Sequence, residues 1–191
     1  MELQRLGVKI FFRESSQLDL GDLVPVFHSW IQKRLVEDHV LVDVHNYSHV
    51  HEGPGILLVA HEGNFSIDLE NGRMGLFYYR KQPLDGALRS RLKDIFRTTL
   101  LGALLLEKES QLGKVQFSTD ELLLVANDRL KAPNTEATFQ QFEPEFSEFF
   151  RQLLNDDECT LARQKDPRER FAVRVHTRIP QGIPGLLDRL G

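Results

Sequence analysis

Residues 38–80 constrain the fold of this 191-residue chain more than any other stretch. They hold four runs rich in β-branched and aromatic residues, separated by turn-forming glycine, proline and asparagine. Val40-Leu-Val-Asp-Val alternates, with Val40, Val42 and Val44 on one face and Asp43 and His45 on the other, the pattern of a half-buried strand. After Gly53-Pro54-Gly55, Ile56 to Ala60 is apolar on both faces and reads as an interior strand. Phe65-Ser-Ile-Asp-Leu and Met74-Gly-Leu-Phe-Tyr-Tyr flank Glu70-Asn71-Gly72, and Asn-Gly is the strongest short signal for a hairpin. The segment therefore predicts an antiparallel meander.

Around it the chain reads as mixed helix and strand. Val8 to Phe12, apolar but for one lysine, predicts a strand. A helix follows, with Asp22 as its cap, Pro25 in the first turn and Trp30 on the apolar stripe as a core anchor. Leu84 to about Glu109 predicts a long helix with a leucine-rich stripe. Val115 to Val125 holds one strand or two. Asn134 or Thr135 caps a short helical piece to Phe142, Pro144 starts a fresh helix, and Thr160–Arg163 and Phe171–His176 close as strands. The expected fold is α+β: an antiparallel meander sheet with about three helices, in a single domain over residues 1–178 followed by a Pro/Gly-containing tail, 179–191. Pro25-x-Phe27-x-x-Trp30 echoes Pro144-x-Phe146-x-x-Phe149, which leaves an internal β-α-β-β duplication open beside the simpler reading of two amphipathic helices.

Composition excludes several functions. A net charge of −4 disfavours nucleic acid as the main partner, since that binding requires phosphate neutralisation. The single cysteine, Cys159, rules out an intrachain disulfide or a multi-cysteine zinc site, and it fits a reducing compartment. The first ten residues lack the apolar core of a signal peptide, and Leu100 to Leu106 is far short of the roughly 20 residues that span a bilayer. A cytoplasmic protein with no membrane association is expected.

Candidate chemistry centres on histidine. Four of the seven histidines, His45, His49, His51 and His61, fall within seventeen residues. In an extended strand, His49 and His51 share a face and would suit one metal, and a hairpin would bring His61 toward them with Glu62 as a carboxylate ligand. His49, His51 and His61 are thus the candidate metal ligands, though no H-E-x-x-H or other metal signature frames them and no cofactor follows from the sequence. Without a metal, His61 and Glu62 are candidate acid–base residues, and His49, His61, Glu62, Tyr47 and Asn64 form a candidate ligand clamp with Tyr78 and Tyr79 nearby. The simpler reading of Glu62-Gly63-Asn64 is turn chemistry. Arg89, Lys93 and Arg97 share one helical face, either as an anion site or as a solvated face compensated by Glu143, Glu145 and Glu148. Phosphate-binding glycine loops and nucleophile elbows are missing from the sequence. Acidic neighbours of Cys159 would raise its pKa rather than activate it.

The run from Asn46 through His61-Glu62-Gly63-Asn64, preceded by Pro25-Val-Phe-His-Ser-Trp-Ile-Gln and extending to Ala132-Pro133-Asn134, resembles a family of uncharacterised bacterial proteins. That resemblance implies a bacterial, soluble, single-domain protein, and no activity or catalytic residue. The expected function is therefore non-catalytic: a homodimeric binding or scaffold protein taking a small molecule or an anion. The alternative is a small-molecule enzyme using His49, His61 and Glu62, with or without a metal.

Overall fold

The computed structural model describes residues 3–16, 18–51, 53–69 and 72–191. Eight strands form one antiparallel sheet: β1 (Leu6–Phe12), β2 (Leu41–Tyr47), β3 (Gly55–Ala60), β4 (Gly63–Asp68), β5 (Gly75–Arg80), β6 (Phe117–Ala126), β7 (Thr160–Arg163) and β8 (Phe171–His176). Their spatial order is β2-β3-β4-β5-β1-β6-β8-β7, so β5 and β1 lie at the centre while β2 and β7 are the edges. The four α-helices among the described residues are α1 (Leu23–Lys33), α2 (Leu88–Glu107), α3 (Glu136–Leu154) and α4 (Ile183–Leu190).

Alternation along the strands builds the main core. Val8 and Ile10 of β1, Phe65 and Ile67 of β4, Leu76 and Tyr78 of β5, Leu122 and Leu124 of β6 and Val173 and Val175 of β8 point to one face and pack against the helices. Trp30 is buried, edge-on to Phe27 at 5.1 Å and to Phe65 at 6.1 Å between ring centroids, as its place on the stripe predicts.

The mixed α+β class and the antiparallel sheet follow the sequence reading, but the count of about three helices does not. The fourth helix is α4, in a tail where Pro184 and Gly185 predict irregularity. Proline at the second helical position lacks only an N–H that would have no partner in the helix. Ile183, Leu186 and Leu190 of α4 join the main core. The sheet also extends well beyond the 38–80 meander, through β1, β6, β7 and β8. Pro144 lies inside α3 rather than starting a helix. Phe139, Phe142, Phe146, Phe149 and Phe150 are buried on both sides of it, which offsets a missing helical hydrogen bond. Thr135 does cap α3, its side chain accepting from the Thr138 N–H.

At the β2 edge the expected buried face holds at Val44, which packs against the core, and fails at Val40 and Val42. Val40 and Val42 are 63 % and 60 % exposed, because the register of β2 against β3 shifts between Leu41 and Asp43. The Asn71 turn of the β4–β5 hairpin lies outside the described residues, though β4 and β5 pair as predicted.

Candidate functional site

The structure disperses the histidine cluster. His49 and His51 are exposed in the turn after β2, which ends at Tyr47, so the polar face of Asp43, His45 and Tyr47 stops before reaching them. His61 is exposed at the opposite end of β3. Six residues of extended strand separate the two ends, about 20 Å at strand rise. Any metal or catalytic pairing of His49 or His51 with His61 therefore fails on distance. Among the described residues no group of three or more His, Cys, Asp or Glu side chains is placed to hold a metal.

Glu62 is occupied in holding the strand ends together. Its Oε2 accepts from the Val40 N–H at 2.8 Å, and its carbonyl accepts from the N–H groups of Lys81 and Gln82. Burial works to raise its pKa. Hydrogen bonds from the N–H groups of Val40 and Glu62 itself, with the nearby His39 and His61, outweigh that and hold it below the usual carboxylate value.

Beside Glu62 is a histidine that the sequence did not single out. His39 Nδ1 lies 3.0 Å from the Glu37 carbonyl, so Nδ1 carries the proton and donates. Nε2 of the neutral ring is then an acceptor, and the Tyr78 hydroxyl donates to it at 2.7 Å. Burial lowers the His39 pKa most, the Glu37 carbonyl opposes this, and the positive charge of Arg80 adds to the lowering. Burial likewise raises Tyr78, with Arg80 opposing. This relay locks the α1–β2 connection to the buried end of Tyr78.

The polar groups that converge do so on the face of the sheet away from the helices. Asn64, Ser66 and Asp68 alternate on β4, and Tyr79 and Phe77 stand opposite Asn64 and Ser66 on β5. With Gly53, Pro54, Leu57 and Arg170 they line a hollow of about 250 Å³. The Arg170 guanidinium lies 5.6 Å from the centre of the Phe77 ring. Beside the hollow, Lys9 Nζ meets Asp68 Oδ1 at 2.5 Å, and both side chains are almost fully buried. Glycines make this possible. A Cβ on Gly75 would sit 2.8 Å from Lys9 Cε, so only a bare backbone lets the lysine stem cross β5 to reach Asp68. A Cβ on Gly7 would meet the Phe77 ring at 2.7 Å, so that ring rests over bare backbone as well.

The same face continues into a second apolar cluster of Phe11, Phe77, Leu123, Val125 and Ala172. Arg73 lies over Phe11 at 4.2 Å and joins Arg174 in pairing with Glu121, at 2.6 and 2.8 Å. The face is thus apolar at its floor and bridged by paired charges.

Of the predicted clamp, only Asn64 lines the hollow. Tyr47 shares the open face but sits on β2, beside His45 at 6.0 Å between ring centroids. Alternation in Asn64-Phe-Ser-Ile-Asp could have identified Ser66 and Asp68, and the lone lysine of β1 marked Lys9. Arg170 carries no local signal. The basic face of α2 is used internally: Arg89 pairs with Glu148 at 3.0 Å, and Arg97 donates to the Gly191 carbonyl at 3.1 Å. Cys159 is half-buried, and burial, then Asp156, raise its pKa, as its acidic neighbours predict.

No described helix is long and apolar enough to cross a membrane. Compared with protein-family models and with curated proteins, the chain matches none.

Proposed function

We propose that this is a non-catalytic binding protein of the bacterial cytoplasm, that it works as a homodimer, and that the hollow on the open sheet face holds its ligand. The observation that carries the binding reading is the convergence of Asn64, Ser66, Asp68, Tyr79 and Arg170 around the apolar surface of Leu57 and Phe77. A few placed polar groups over an apolar floor, mounted on hydrogen-bonded strands, is what a specific small-molecule site requires. At about 250 Å³ the hollow falls just below the ~300–1,000 Å³ of drug-sized sites. Its ligand is accordingly a small polar metabolite with a compact or flat apolar part, of the size of an amino acid or a nucleobase.

The test is a thermal-shift screen of amino acids, nucleobases and monosaccharides at millimolar concentration. Leu57, half-buried at the rim, is changed to tryptophan to fill the hollow. The reading expects at least one class to raise the Tm of the native protein and to leave Leu57→Trp unmoved. No shift with any class, or equal shifts in both proteins, contradicts it.

A further inference from the structure

The two edges of the sheet are protected very differently. β7 is four residues long, and Arg163 on it is held by Asn134, Glu136 and the Gln164 carbonyl. A short strand carrying a fixed cation resists pairing with another chain. β2 is seven residues long, and from Val40 to Tyr47 it has no lysine, arginine or proline. Val40, just before it, and Val42 on it are exposed apolar side chains.

The backbone of β2 shows which groups face outward. The Val44 N–H donates to Asp43 Oδ1 at 2.8 Å, so it points away from β3 and is covered only by the side chain of its neighbour. An antiparallel partner strand must pair outward-facing residues with one another, which restricts the registers. With β2 against β2, a register centred on Asp43 sets two carboxylates opposite each other, and one centred on His45 sets two imidazoles opposite each other. The register centred on Val44 places Asp43 opposite His45 twice, in the close, non-hydrogen-bonded pairs where a carboxylate and an imidazole can hydrogen-bond.

We propose that a second copy of this chain pairs with it through β2, antiparallel and centred on Val44. The proposal rests on the homodimer reading above and supplies its surface. Val44 N–H passes from Asp43 to the Val44 carbonyl of the second copy, and Asp43 is released to meet the second copy's His45. The two-fold axis is perpendicular to the sheet, so both open faces, each with its hollow, lie on one side of a sixteen-stranded sheet.

The test is the mass in solution by light scattering and sedimentation, for the native chain and three variants. Val44→Pro removes the outward N–H without touching the ladder to β3. His45→Asp sets carboxylate against carboxylate at two exposed sites, and the exchange Asp43→His with His45→Asp restores a carboxylate opposite an imidazole. The expected results are a native mass of twice 22.0 kDa, a monomeric Val44→Pro, dimer affinity weakened by about tenfold or more in His45→Asp, and recovery in the exchange variant. A native monomer overturns the homodimer reading together with this interface. A native dimer whose stability ignores His45→Asp and Val44→Pro overturns this interface and leaves the homodimer standing on another surface.

Discussion

The two faces of the sheet come from the same strands, residue by residue in alternation, yet they are finished in different ways. The helix-covered face is lined mainly by apolar side chains from β3 to β8, and Tyr78 on it turns its hydroxyl to His39. The open face buries charge: Lys9 with Asp68, and Glu121 between Arg73 and Arg174. Hydrophobic burial is non-directional and supplies most of the stability. Buried ion pairs contribute little net stability but tolerate only one arrangement, and breaking one is costly. The helix face therefore holds the fold, while the open face fixes the positions of a few polar atoms. That is the division of labour a binding surface needs.

Substitutions on the two faces test the contrast. Phe65→Ala on the helix face should cost about 4 kcal/mol in urea unfolding, with no partner change that restores it. Lys9→Met should cost about 3 kcal/mol, because it removes the paired cation from the buried Asp68 carboxylate, and adding Asp68→Leu should recover much of the loss. If Lys9→Met proves neutral, the open face is not organised by that pair. Tyr78→Phe, on the helix face, should cost about 1 kcal/mol and raise the His39 pKa measured by NMR, since the donor that favours the neutral ring is gone.

The smallest effect is a pH dependence. His39 titrates below its ordinary 6.5 in the folded chain, so the unfolded chain binds more protons in the interval between the two values. Its contribution to stability is complete above about pH 6.5 and is lost as pH falls through the depressed value. Urea midpoints should therefore rise with pH across that interval, and His39→Gln should flatten the rise. Glu62, also lowered, adds a similar loss at more acid pH, below its ordinary 4.5.

Local pattern carried most of the strands and the long helix α2, because alternation and helical periodicity are written residue by residue. Val8 to Phe12, Ile56 to Ala60, Thr160–Arg163 and Phe171–His176 all form where the pattern puts them. What failed depended on neighbours in space. Val40 and Val42 alternate correctly, but an extra residue on the edge strand turns them to solvent. The histidines were grouped by their nearness in sequence, and a single extended strand carries their ends apart. The open-face site gathers β1, β4, β5 and Arg170, up to 161 positions from Lys9, through a strand order that nothing local encodes.

The most direct test of the open face is backbone-amide shift mapping with the strongest compound from the thermal screen. The groove of about 300 Å³ between α2 and residues 35–37 serves as the competing cavity on the helix side. Perturbations should concentrate at Leu57, Asn64, Ser66, Phe77 and Tyr79. Perturbations confined to Leu101, Leu105 and their helix neighbours would contradict binding on the open face.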